Sequence, residues 1–229
     1  MKNQGGSGAL ARAFAEYKAG DYESALVRLA ETTVDEEDYL DLAYLLGLCY
    51  IRLERWDEAL LYLEQVVTSG AVDARVSQCR LSLAYVYSIT GRSKLAEYEL
   101  RKLVEAGEDN PQVSASLGYA CWAQGRLEEG LTWYGRALEA DPDNPNALNG
   151  YGYLLACADR DLKRAVTCCR RALDADPANP AYMDSLGWAY LRLGMIEEAA
   201  RQLKAAAVEL PGNEEVKKHM GALMKAIHA

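Results

Sequence analysis

The chain has 229 residues, half of them hydrophobic and 26% charged, with a formal net charge of −9. The acidic balance, without a lysine or arginine cluster, argues against nucleic acid as a partner and against docking on anionic lipid. Charged residues interrupt every apolar segment, so we expect no membrane insertion.

The six cysteines are spread through the chain and form no CxxC pair. This spacing fits neither a disulfide framework nor a metal site, so we expect buried, free thiols and no metal or other cofactor. Free thiols favour a reducing compartment, which makes the cytoplasm the expected location.

The chain opens with a glycine- and serine-rich stretch, which predicts a flexible leader or a cloning remnant over residues 1–7. After it, two series of small residues recur at steps of 34 to 37 residues. The first comprises Ala13, Gly47, Ala84, Gly118, Gly152 and Gly187, and the second comprises Ala25, Ala59, Ala96, Gly130, Ala165 and Ala199. A period of this length predicts a stack of helical hairpins.

Residues 180–213 illustrate one repeat, since their apolar residues are three or four positions apart on either side of Gly194. That spacing predicts two amphipathic helices joined at this glycine. Gly187 and Ala199 would allow the two helices to approach closely. In the preceding repeat, Asp159 and Asp161 stand at the turn in place of the glycine, and we expect this turn to bulge outward.

The pattern of Leu-Gly, Tyr, turn Gly, Ala, aromatic, Ala and Pro resembles the tetratricopeptide repeat. The resemblance covers residues from about 6 to 213 and implies an all-α, right-handed superhelical solenoid. We expect six repeats within 8–213, at about 6–39, 40–73, 77–110, 111–144, 145–179 and 180–213. Residues 214–229 would form the capping helix that such a stack requires.

The resemblance implies that the first helices of the repeats line a concave groove that holds peptides or protein segments. The residue after each small one in these helices is mostly aromatic, and neighbouring turns add further apolar and polar groups. Our candidate partner-binding residues are Leu48, Tyr85, Tyr119, Trp122, Tyr153, Trp188, Tyr44, Asn149 and Asp184. The alternative is that several of these rings pack between adjacent repeats as core. We expect the cations of this face, Arg52 and Arg192, to be isolated and solvated.

The sequence therefore predicts a non-catalytic adaptor, scaffold or chaperone-like protein that holds an apolar or aromatic-rich segment of a partner. No catalytic constellation is visible, since the only histidines, His219 and His228, lie in the predicted cap. One alternative is a structural subunit that assembles into a homo-oligomer. Another is an assembly factor for the bacterial envelope or pilus, which the later repeats resemble; it would place the protein in the periplasm or at the outer membrane.

Overall fold

The computed structural model describes residues 4–70 and 74–228. Within them the chain forms α-helices joined by short turns, together with one 3-10 turn at Glu36–Asp38. The helices are α1 (Gln4–Ala19), α2 (Tyr22–Glu31), α3 (Tyr39–Arg52), α4 (Trp56–Thr68), α5 (Ala74–Ile89), α6 (Ser93–Glu105), α7 (Pro111–Trp122), α8 (Leu127–Ala140), α9 (Pro145–Cys157), α10 (Leu162–Ala175), α11 (Pro180–Arg192), α12 (Ile196–Glu209) and α13 (Glu214–Ile227). The predicted all-α fold is confirmed for the described residues.

The chain divides into two compact units, Met1–Gly107 and Glu108–Ala229. In unit 1, α1 packs with α2, α3 with α4 and α5 with α6. In unit 2, α7 packs with α8, α9 with α10 and α11 with α12, and α13 adds to the last hairpin. These pairs are the hairpins that the sequence period predicts.

Glycines at the first small position bring the two helices of a hairpin into close contact. A Cβ at Gly187 on α11 would lie 2.7 Å from Cγ of Leu203 on α12, which is far inside an ordinary contact. At Gly118 a Cβ would lie 2.8 Å from the ring of Tyr134 on α8. The predicted close approach is therefore confirmed, and the facing Leu203 and Tyr134 are buried by it.

The helix ends follow the chemistry of the residues there. Asn179 accepts hydrogen bonds from the backbone N–H groups of Ala181 and Tyr182, at 3.1 and 3.3 Å, and so caps the start of α11. Gly194 takes a left-handed φ of 83° between α11 and α12. At the turn before α10, Asp159 and Asp161 adopt left-handed φ values of 55° and 39°. Asp161 also caps α10 by accepting from Arg164 N at 3.2 Å.

The first and last helices begin at Gln4 and Glu214. Helix α1 begins at Gln4, so residues 4–7 of the predicted leader belong to a helix, and residues 1–3 lie outside the described residues. Helix α13 begins at Glu214, where the sequence places the cap, and buries Val216 and Leu223. Among the described helices, none has the length and apolar character needed to cross a bilayer.

Candidate functional site

The first helices of the hairpins in unit 2 share one face, and α13 packs over one end of it. Tyr153 lies on α9 and Glu215 on α13, with α11 between those helices in the stack. The phenol oxygen of Tyr153 lies 3.5 Å from Oε2 of Glu215. Side chains of α9 and α13 therefore meet across α11 on this face.

Aromatic side chains form a continuous ladder along this face. Ring centroids are 5.6 Å apart for Tyr119 and Trp122, and 5.5 Å apart for Trp122 and Tyr153, the latter edge to face. Tyr153 then lies 5.9 Å from the imidazole of His219, which stacks on Trp188 at 4.4 Å. Such offset and edge contacts hold each ring in place, so the ladder is a preorganised surface.

Exposure changes along the ladder. The Tyr119 side chain on α7 is 40% exposed, whereas Trp122, Tyr153 and Trp188 are half-buried. Burial is the main cause that raises the pKa of Tyr153 above its ordinary value. The ladder is therefore exposed at Tyr119, and its other end packs against α13.

Asp184, a candidate binding residue, is buried and already has a partner within the chain. It is 7% exposed, and His219, which is 4% exposed, lies against it. Nδ1 of His219 is 2.8 and 3.0 Å from the two carboxylate oxygens, so a proton on Nδ1 can be donated to both. The pair ties α13 to α11, and we leave Asp184 out of the proposed site.

The His219 ring does not form a catalytic dyad with a nucleophile in the described part of the chain. Its other nitrogen, Nε2, lies 4.0 Å from the carboxylate of Glu215. The imidazole is thus flanked by carboxylates, an arrangement that fixes a helix and offers no activated hydroxyl or thiol. Burial raises the pKa of the nearby Cys157 thiol, which further disfavours a reactive thiolate.

At the closed end, Oδ1 of Asn149 on α9 is buried without a hydrogen-bond partner among the described residues. Nε1 of Trp188 on α11 is also buried, beside the Cys157 thiol. A buried polar group without a partner costs about 1–3 kcal/mol.

In unit 1, the candidate residues differ in exposure. Tyr85 on α5 is 53% exposed and meets Trp56 edge to face at 6.4 Å. Tyr44, by contrast, packs against the core formed by α1, α2 and α3, and burial raises its pKa. Leu48 is half-buried.

Arg192 and Arg52, the two cations expected to be isolated, both have partners. Arg192 lies 3.1 Å from the carboxylate of Asp159 and 5.5 Å above the Trp188 ring. Arg52 donates to the phenol oxygen of Tyr22 from Nε at 3.0 Å and from Nη2 at 2.9 Å. The expectation that both are isolated is therefore wrong, whereas both are exposed to solvent, as expected.

The sequence reasoning missed His219, Glu215 and Trp56 as parts of the aromatic surfaces. Trp56 begins α4, a second helix, and so lies outside the first helices to which the resemblance assigns the groove. His219 carried a usable signal, because it adjoins Met220 and lies within one turn of Val216 and Leu223 on the apolar face of α13.

Models of one repeat family match most of the chain. A model described as "TPR repeat" matches residues 118–156, and two described as "Tetratricopeptide repeat" match residues 16–82 and 154–214. The human protein Tetratricopeptide repeat protein 21B is 35% identical over 89 residues, which is 37% of this chain. The chain spans only 7% of the length of that relative.

Solved structures show the same fold at low sequence identity. YrrB, described as a TPR protein with an unusual peptide-binding site, is 20% identical with a TM-score of 0.54, covering 82% of this chain and 92% of its own. A chain of the APC/C hetero-tetramer Cut9-Hcn1 is 17% identical with a TM-score of 0.73, covering 94% of this chain and 44% of its own. At these identities the likeness concerns the fold alone.

Proposed function

Since the chain belongs to the tetratricopeptide repeat proteins, which are generally non-catalytic protein–protein interaction modules, we propose that it is an adaptor, scaffold or chaperone-like protein. It holds an apolar or aromatic-rich segment of a partner on the face of its first helices. We further propose that it catalyses no reaction of its own.

The observation that supports this proposal best is the exposed Tyr119 ring backed by Trp122 and Tyr153. A large ring held by its neighbours loses little conformational freedom when a partner covers it. Tyrosine and tryptophan are also the residues that contribute most to binding at the centres of interfaces. The peptide-binding site named for YrrB gives a precedent on a similar fold.

The test is peptide binding by the full chain. A phage-displayed library of random dodecapeptides would be selected on the chain, and the enriched peptides would be synthesised and titrated by fluorescence anisotropy. Tyr119→Ala should weaken binding by roughly 10-fold or more, the effect expected of an interface anchor. Tyr98→Ala is the matched control, because Tyr98 is 55% exposed but lies on α6, a second helix.

The proposal fails if no peptide is enriched, or if Tyr98→Ala weakens binding as much as Tyr119→Ala. Light scattering on the same samples addresses the alternative function. A mass that grows with concentration and falls on Tyr119→Ala, without peptide binding, would favour the self-assembling subunit instead.

A further inference from the structure

We propose that Arg52 in unit 1, oriented by Tyr22, binds the carboxylate side chain of an aspartate or glutamate in the partner segment. The neighbouring rings of Tyr85 and Trp56 would receive the apolar residues beside it. The inference rests on the proposed function, because it names what the bound segment must carry.

The first step is the charge balance of the arginines in unit 1. The unit has eight arginines. Six of them, Arg28, Arg55, Arg75, Arg80, Arg92 and Arg101, pair with a carboxylate. Arg52 and Arg12 have no such partner among the described residues. The groups that act on Arg52 are the phenols of Tyr22, Tyr17 and Tyr85, so its charge is not neutralised within the described chain.

The second step is the geometry of the guanidinium. A guanidinium has five N–H donors in a planar fork. In Arg52, one hydrogen on Nε and one on Nη2 are directed at the single oxygen of Tyr22. Three donors remain, two on Nη1 and one on Nη2, and they face the free end of the fork. This edge matches the two oxygens of a carboxylate.

Tyr22 holds the fork in this orientation. The Arg52 guanidinium carbon lies 5.1 Å from the Tyr22 ring centroid, in addition to the two hydrogen bonds. Tyr22 is itself packed against Tyr17, with the ring centroids 5.4 Å apart. An arginine restrained in this way loses less rotamer freedom on binding than a free surface arginine.

The third step is the surface on either side of the cation. Tyr17 and Tyr22 belong to the first hairpin, Arg52 to α3 of the second, and Tyr85 to α5 of the third. On the Tyr85 side the rings of Tyr85 and Trp56 meet, and Ile89 is 46% exposed. Apolar surface thus lies on both sides of Arg52, which fits an acidic residue inside a segment rather than at its C-terminal end.

The test uses dodecapeptides selected from the random library on the full chain, made with an amidated C-terminus. Each is titrated by fluorescence anisotropy with its Asp→Asn or Glu→Gln analogue. Arg52→Gln should bind the acidic peptide roughly 10-fold or more weakly than wild type does, as expected for loss of a charge-assisted bidentate contact. It should bind the amide analogue as tightly as wild type does, because that peptide no longer carries the carboxylate. Arg52→Lys should restore only part of the affinity, because an ammonium lacks the fork.

Two further variants separate a local effect from a general one. Arg12→Gln removes the other unpaired arginine of unit 1 and should leave affinity unchanged. Tyr22→Phe keeps the ring but removes the oxygen that orients Arg52, and should weaken binding several-fold. Circular dichroism of each variant checks that the helices are intact.

The outcomes distinguish this inference from the proposed function. Selected peptides that lack acidic residues, or that bind Arg52→Gln as tightly as wild type, overturn the carboxylate site and leave peptide binding standing. Peptides that bind through a free C-terminal carboxylate, and so lose affinity on amidation, would show that the site takes the chain end and not an Asp or Glu side chain, which overturns the inference. A library that yields no binder overturns both.

Discussion

A single added methyl group at Gly150 should destabilise unit 2. A Cβ on this α9 glycine would lie 2.1 Å from Cζ, 2.3 Å from Cε1 and 2.6 Å from Oη of Tyr134. All three atoms belong to one rigid side chain that is only 6% exposed. Restoring a distance of 3.4 Å at Cζ therefore needs a shift of about 1.3 Å by the ring or the helix.

The expected magnitude follows from two opposing effects. Overpacking a tight core costs typically 1–3 kcal/mol, and a clash this short belongs at the upper end. Replacing glycine by alanine in a helix returns up to about 1 kcal/mol. Gly150→Ala should then lower the free energy of unfolding by about 2 kcal/mol, which corresponds to roughly 4–8 °C in Tm for a chain of this size.

The matched control is Gly221→Ala in α13, where an added Cβ has no atom within 4 Å. This variant should be as stable as wild type or more stable by up to about 1 kcal/mol. Thermal unfolding followed by circular dichroism measures both. A Gly150→Ala chain that melts at or above the wild-type temperature would refute the reasoning about the Tyr134 contact.

Three other outcomes are expected. His219→Ala leaves Asp184 buried without its partner and should lower the free energy of unfolding in urea by about 3 kcal/mol. The control, Met224→Ala, changes a half-exposed site on the same helix and should lower it by less than about 1 kcal/mol. Equal losses of stability in the two variants would contradict the role of the Asp184–His219 pair. Burial raises the pKa of the Cys49 thiol from 9.0 to about 11, so the unfolded chain loses this proton at a lower pH than the folded chain does. The free energy of unfolding should therefore fall as the pH rises from 9 to 11, and it should fall less steeply in Cys49→Ala. Parallel plots of the free energy of unfolding against pH for the two chains would exclude a contribution from this thiol. Light scattering over a concentration series should give a constant monomer mass, and growth would favour self-assembly.

The repeat architecture could be predicted because its signals are local and periodic. The small residue at Gly187, the turn at Gly194 and the cap at Asn179 each impose one feature of a hairpin, and each recurs in other copies. The turn at Asp159 and Asp161 shows the limit of such signals. Its sequence lacks the turn glycine, yet the backbone still takes left-handed values at its two aspartates, a residue type that tolerates this region better than most.

The aromatic surface could be predicted only in part. Sequence spacing places Tyr119, Tyr153 and Trp188 on one helix face, but it does not say which of them another helix covers. Which rings are covered depends on where α13 packs. On α13, His219 contacts Trp188, which lies 31 residues earlier in the sequence, and Glu215 contacts Tyr153, which lies 62 residues earlier. Long-range pairings of this kind leave no periodic trace in a single sequence.

The most direct test of the central claim is photo-crosslinking from the open ring. A benzoylphenylalanine in place of Tyr119 in the full chain would be irradiated in cell extract, and crosslinked peptides would be identified by mass spectrometry, with the same substitution at Tyr98 as control. The proposed function predicts crosslinks from position 119 to segments of another protein rich in apolar or aromatic residues, and far fewer from position 98. Crosslinks from position 119 only to further copies of this chain, or equal yields from both positions, would contradict it.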